Sequence, residues 1–326
     1  MQNSFTTQPE LFMLASDLDS PILNSLDDTE ALLDWSEIEN LLSSIYSAKT
    51  GRPSYPLLTL FTSLLLEIWY TLSDVELAHC LYRDLLFRKF CHLELTGNVP
   101  EASTLGRFRN KLVELNLWDS LLEEINRQLA SQNIIDATPV EASQSGSGNG
   151  KDGLPKKDPE AGWHVKNDSR GRQKSTYGYS VHTGVDEDGF IHSQCVTAGN
   201  VHDSQERDSL ILADESTLYA DAAYSSKETR DKLEELGIED QVQRKGYRNN
   251  PLTRQDKLGN AEIAVTRAGG ERPFATYKTH YRLTRTRFMG LAKNETFFGL
   301  AAMAANIRKG ARFLMLYGLP EMEIAG

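Results

Sequence analysis

From about Trp35 to Gln132 the apolar residues recur with a helical period, and Leu57, Leu60, Phe61, Leu64 and Leu65 fall on one helix face. Ser73 with Glu76 three residues on has the form of a capping box and predicts a helix running through Leu81. Pro100-Glu101-Ala102-Ser103 interrupts the run, and Ser103 is placed to cap a further helix carrying Leu105, Phe108 and Leu112. Residues 31–130 therefore read as an all-helical domain, preceded by an acidic arm at 1–30 that sustains no period.

At Ile134 the pattern changes to strands. Asn133-Ile134-Ile135-Asp136 is a short apolar run ending on an acid, and residues 143–173, rich in Gly, Ser, Lys and Asp, predict a long mobile loop. Tyr177, Tyr179, Val181 and Thr183 then alternate along a strand, Asp186 to Gly189 forms a turn, and Phe190 to Thr197 returns as the hairpin partner. A short helix ends near Ala213, and Thr217 to Ala220 is a buried strand followed by Asp221. Ser225 and Glu228 predict a capping box for a helix that stops near Gly237, and Ile238 to Val242 is a fifth strand. This order gives an α/β domain over 131–315: a mixed five-stranded sheet flanked by helices, its first three strands antiparallel and its last two reached by right-handed crossovers. Residues 316–326 form a tail. Asp136 and Asp221 end the first and fourth strands, and such sheets gather polar residues at one edge.

An apolar fraction of 40% in 326 residues is ample for a full core. Cys80, Cys91 and Cys195 make no C-x-x-C spacing, which argues against a disulfide framework or a structural zinc and for a reducing compartment. The N-terminus lacks a signal-peptide layout, and Thr59, Thr62 and Ser63 break the Leu57–Leu66 run, so a soluble cytoplasmic protein with no membrane partner is expected. The net charge of -11 conceals an asymmetry: Arg244 to Phe313 holds 15 Lys/Arg against 4 Asp/Glu, a local +11 that leaves about -22 for the rest. A basic block of that size suits phosphate.

Glu271 lies inside that block, in Arg267-x3-Glu271-x6-Lys278. Gly269-Gly270 before it and Pro273 after it predict a helix beginning at Glu271 itself. On such a helix Glu271, Phe274 or Ala275, and Lys278 share a face, which Arg282 and Arg285 continue. Taken singly, either aspartate reads as a cap or turn residue and Glu271 as a surface acid. Taken together, three carboxylates on rigid elements repel one another unless a cation neutralises them. Oxygen-only ligands favour Mg2+ or Mn2+, and two such ions about 3.5–4 Å apart suit work on a phosphodiester.

These segments resemble an insertion-sequence transposase of the DDE type, in the superfamily numbered four and five among insertion sequences, group five-like. The resemblance rests on Asp136-Ala137-Thr138-x2-Glu141-Ala142, on Tyr219-Ala220-Asp221-Ala222-Ala223-Tyr224, and on the glutamate signature around Glu271. Asn200-Val201-His202-Asp203-Ser204, Arg287 to Asn294, Leu81 to Cys91 and Ser103 to Arg109 also look like family segments, so it covers roughly Arg52 to Arg308. Three features depart from the pattern: Ala264 stands where a Tyr is usual, Ser180 where a Lys is frequent, and Gly269-Gly270 and Pro273 flank Glu271 so that Arg267 would lie off its helix. The resemblance implies an RNase H-like catalytic domain with Asp136, Asp221 and Glu271 as catalytic residues holding two metal ions. It implies DNA contacts from Lys278, Arg267, Arg272, Arg282, Arg285, Arg287, Lys293 and His202. Arg83, Arg88, Arg107 and Arg109 would track phosphates from the helical domain. The implied partner is double-stranded DNA, the element's terminal inverted repeats and a target, engaged by a homo-oligomer. Cleavage and transfer of the 3'-OH ends is the implied reaction. A metal-dependent nuclease without strand transfer and a catalytically silent repressor of transposase descent remain alternatives.

Overall fold

A computed structural model of the chain describes residues 21–45, 54–129, 133–141, 157–167, 172–186, 188–201, 210–211, 216–247, 249–268 and 271–317. The chain forms two compact units, residues 1–129 with 300–326 and residues 130–299. Residues from 300 on thus belong with the helical unit, whereas the sequence pattern placed that boundary at 315.

The first unit contains helices α1 (Pro21–Ala31), α2 (Trp35–Leu42), α3 (Leu57–Trp69), α4 (Asp74–Arg83), α5 (Leu85–Phe90), α6 (Ala102–Glu114) and α7 (Leu117–Leu129). Every residue of α3 is buried, so its apolar positions fill a core on all sides rather than one stripe. Ser73 caps α4 in the expected box with Glu76. Helix α6 begins at Ala102 with Glu101 at its cap and no capping side-chain bond, so Ser103 lies inside the first turn instead of before it.

Two of the arginines expected to track phosphates are committed to the interior. Arg88 (3% exposed) donates to the carbonyls of Leu81, Glu94 and Gly97. Arg109 (5% exposed) donates to Glu67 at 2.5 Å and to both carboxylate oxygens of Asp74 at 2.8 and 3.2 Å, tying α6 to α3 and α4. Arg83 and Arg107 are exposed.

The second unit contains β1 (Asn133–Glu141), β2 (Gly162–Asn167), β3 (Gln173–Asp186), β4 (Ile191–Ala198), β5 (Thr217–Ala220), α8 (Lys227–Leu236), β6 (Glu239–Val242), α9 (Arg254–Arg267) and α10 (Glu271–Ala275), and α11 (Leu291–Tyr317) starts in it. Long β3 organises the sheet: antiparallel β1 runs along one edge, while β2 and β4 follow one another along the other. Strands β5 and β6 form a separate parallel pair, and β5 neighbours β1. The single five-stranded sheet is therefore not what the described ladders form: β5, four residues long, has β6 as its ladder partner. Within the stretch read as a loop, Gly162–Asn167 is a strand, and the segment before it is anchored by buried Asp158. Residues 143–156 of that stretch lie outside the described residues.

Leu210, Leu218, Ala220, Tyr224, Leu233, Ile238 and Val242 pack as one core between the parallel pair and α8. Helix α8 is capped by Ser226, which accepts from the Thr229 N–H, and not by Ser225; it ends at Gly237 in the left-handed conformation that glycine favours (φ 73°).

Candidate active site

Asp136 is the fourth residue of β1 and the backbone partner of Thr183 on β3, which in turn pairs with Gln194 on β4. The three stand in one cross-strand row. Asp221 directly follows β5: Leu218 and Ala220 bury that strand in the core, and the chain then turns through Ala222–Tyr224, whose last N–H donates to the Asp221 carbonyl at 3.1 Å. Because β5 neighbours β1, the strand that delivers Asp221 lies beside the one that carries Asp136.

Glu271 opens α10, as the glycine pair and Pro273 require. The helix is short and passes into a π-helical turn at Thr276–His280. Tyr277 of that turn is buried and donates its hydroxyl to Gln194 Oε1 at 3.1 Å; burial holds its phenol well above the ordinary range. Tyr277 also packs on Phe274, Tyr281 and Phe298. The segment headed by Glu271 is thereby fixed to Gln194, in the row that contains Asp136. The side chains of Asp136 and Glu271 lie outside those described. Among the described residues no group of three or more His, Cys, Asp or Glu is arranged to hold a metal ion. As a donor set, two aspartates and a glutamate offer only oxygen and fit hard divalent cations such as Mg2+ or Mn2+.

The expected cations divide. Arg267 is the last, half-buried residue of α9 and lies off α10. Arg272 and Lys278 are exposed on α10 and on the π turn. Arg282 and Arg285 do not continue the Glu271 face: the helix stops at Tyr281, and Arg282 adopts a left-handed φ of 53°, which turns the chain away from the helix. Both are exposed. Arg287 stacks on Phe288 and Phe297 at 5.2 and 5.4 Å, and desolvation there lowers its pKa to about 10, which leaves it a cation at neutral pH. Lys293 is exposed in the first turn of α11. His202 lies outside the described residues.

Residues 127–307 match the family described as the transposase DDE domain, and residues 17–111 match a second, described as Transposase domain (DUF772). The chain belongs to the DDE transposase family. No solved structure matches it. DDE transposases act on DNA and generally use divalent metal ions, and the family implies an RNase H-like fold for the unit that holds the carboxylates.

Sequence reasoning missed what braces the transposase unit. The Asp158 carboxylate accepts from the Tyr179 hydroxyl at 2.8 Å and from the Gly290 N–H at 3.2 Å, and Glu160 accepts from the Leu291 N–H at 2.8 Å. Two acids of the supposed loop thus hold the start of α11, next to Arg287 and Lys293. Tyr177 and Tyr179 were visible as strand residues; an isolated acid in a Gly/Lys-rich stretch gave no sign of its partners.

Proposed function

We propose that the protein binds the terminal inverted repeats of a group five-like insertion sequence, cleaves the DNA there by metal-assisted hydrolysis, and transfers the freed 3'-OH ends to target DNA. Asp136, Asp221 and Glu271 are the metal ligands, holding two Mg2+ or Mn2+ ions per site. The observation that supports this reading is the Tyr277–Gln194 hydrogen bond, which ties the element beginning at Glu271 to the row of Asp136. The ions, when bound, would supply positive charge that activates the attacking water or, in the joining step, the 3'-hydroxyl, and steadies the leaving oxygen. The chain's own task would then be to hold three carboxylates close against their mutual repulsion, and elements as rigid as strands and a braced turn suit that task. Lys278, Arg267, Arg272, Arg282, Arg285, Arg287 and Lys293, with His202, hold the phosphates that flank the scissile bond. Joining two element ends requires at least two protomers in the working complex. Such an enzyme works in the bacterial cytoplasm, on the nucleoid when bound to DNA.

The test is incubation with the DNA flanking its own coding region, with Mg2+ and with chelator. Nicks at defined ends in Mg2+, and products joined to a second duplex, are expected. Asp136→Asn, Asp221→Asn and Glu271→Gln should each abolish nicking while sparing end binding. Nicking that survives any of these substitutions removes that carboxylate from the site; nicking without joining makes the protein a nuclease, and binding alone a repressor.

A further inference from the structure

The segments that follow β5 and β6 enclose a cavity of about 300 Å³ that the carboxylate site does not use. One wall is the start of α8, with Ser225, Lys227 and Arg230; the other is the chain after β6, with Arg244, Lys245 and Tyr247. Because β5 and β6 are parallel, both walls leave the sheet at its carboxyl end. That is the edge where open parallel sheets hold ligands. It is also where Asp221 stands, four residues before Ser225.

Lys227, Arg230, Arg244 and Lys245 line the cavity against the acids Asp231 and Asp256. Asp256 is occupied in capping α9, accepting from the Thr253 N–H and hydroxyl at 2.9 and 2.6 Å. Asp240 Oδ2 lies 3.5 Å from Arg230 and 3.7 Å from Arg244, and so spaces two cations that would otherwise repel. Arg230 donates also to Ser225 Oγ at 2.9 Å. The backbone behind these groups is held: the Arg244 N–H donates to Asn260 Oδ1 at 2.7 Å, and Asn260 Nδ2 donates back to the Arg244 carbonyl at 2.9 Å. Tyr247 and Asn250 exchange two backbone hydrogen bonds, at 3.0 and 3.1 Å. A backbone held in this way presents Arg244 and Lys245 from a set position, so less of the chain has to be ordered on binding.

We propose that this cavity seats a backbone phosphate of the DNA strand that passes Asp221, held by Arg230, Arg244 and Lys245. The proposal rests on the transposase reading above and adds to it a contact outside the glutamate segment. A phosphate could equally arrive as a free anion or nucleotide. A continuous strand is favoured because the cavity lies at the carboxyl end of the parallel pair, as Asp221 does, because it includes Arg244 at the start of the basic block, and because Tyr247, 58% exposed, offers a ring to an adjoining sugar or base.

The test is fluorescence anisotropy of the full-length protein with a labelled duplex carrying the element end, in chelator, across a salt series. Each phosphate contact adds roughly 0.9 to the slope of log affinity against log salt. Lys245→Gln should therefore lower the slope by about one and the double variant Arg244→Gln/Lys245→Gln by about two, with weaker binding at every salt. Arg127→Gln, which removes an exposed cation paired with Glu124, should leave the slope unchanged. Thermal midpoints are followed in parallel, and exposed Lys245 alone decides the matter if the double variant unfolds. An unchanged slope in Lys245→Gln overturns the proposal. So does protection of the wild type by millimolar inorganic phosphate that the double variant loses while its DNA slope stays the same, since the ligand is then a free anion. A wild type that binds no duplex at any salt defeats the transposase reading itself, an outcome distinct from both.

Discussion

Arg109 and Arg88 look in the sequence like exposed Arg107 and half-buried Lys89, because residue type alone does not record burial. The distinguishing signal lay elsewhere, in Glu67: an acid near the end of a helix whose other positions are apolar apart from two threonines and a serine calls for a buried cation. Removing one partner of a buried pair leaves an uncompensated charge, at a cost of about 3–5 kcal/mol. Arg109→Ala should lose stability on that scale in urea unfolding, and an exposed control, Arg107→Ala, should lose almost none; equal losses would place Arg109 at the surface. Cys91 gives a pH dependence. Burial pushes its thiol from 9.0 up to about 11, partly offset by hydrogen bonds from Ser63 and Thr62. Between those values the unfolded chain has released a proton that the folded chain keeps, so stability should fall as pH rises from about 9 to 11, by at most about 1.4 kcal/mol per pH unit. The contribution is complete below pH 9. Denaturation midpoints across this window, in the wild type and in Cys91→Ala, would check it: the variant should show the shallower decline.

Among the elements, those with a local cause were legible. The Ser73 box, the Gly237 stop and the start of α10 between a glycine pair and a proline all follow from backbone preferences that need no tertiary partner. Where two adjacent residues shared the same chemistry the reading slipped, as with Ser225 for Ser226, because only the fold gives one of them to Arg230 instead of the helix. Strand β2 was hidden for another reason. Its apolar residues, Trp163 and Val165, are each half exposed, so no buried face marked it, and the surrounding glycines and lysines read as loop. The π turn was illegible because the residue that anchors it, Tyr277, finds its partner Gln194 83 residues away. On the proposed reading, in which Glu271 is a metal ligand, that bond bears on cleavage. Tyr277→Phe keeps the ring packing and leaves the buried Gln194 amide without its donor, at about 1–3 kcal/mol. Cleavage should fall while affinity for the element end is retained, since the turn positions Glu271 rather than gripping the duplex. Equal losses in cleavage and binding would show that Tyr277 merely supports the fold.

At the scale of the molecule, the charge asymmetry and the helical-then-stranded order were open to inspection, but the fate of the last helix was not. Residues from Leu300 to Ile307 are apolar or small on nearly every side, which announces burial without saying against what. The partners turn out to be at the other end of the chain. The Trp69 indole N–H donates to the Ala304 carbonyl at 2.8 Å, Asn306 Nδ2 donates to Asn126 Oδ1 at 2.7 Å, and the Arg308 guanidinium stacks on Trp69 and Tyr70 at 5.2 and 5.3 Å. Residues 300–317 thus complete the core of the helical unit, although most of that unit lies far earlier in the sequence. A chain ending at Gly299 would expose the face of α3 that holds Trp69 and leave buried Asn126 without its amide donor. Its helical unit should become susceptible to proteolysis at temperatures where the full chain resists, and the fluorescence of Trp69 should shift toward that of solvent-exposed indole. Trp69→Phe in the full chain, which keeps a ring but loses the indole N–H and part of the buried ring surface, should produce a smaller destabilisation, about 1–3 kcal/mol. If the truncated chain unfolded at the same temperature as the full one, the helical unit would be self-sufficient, and the pairing of the two chain ends would have no part in its stability.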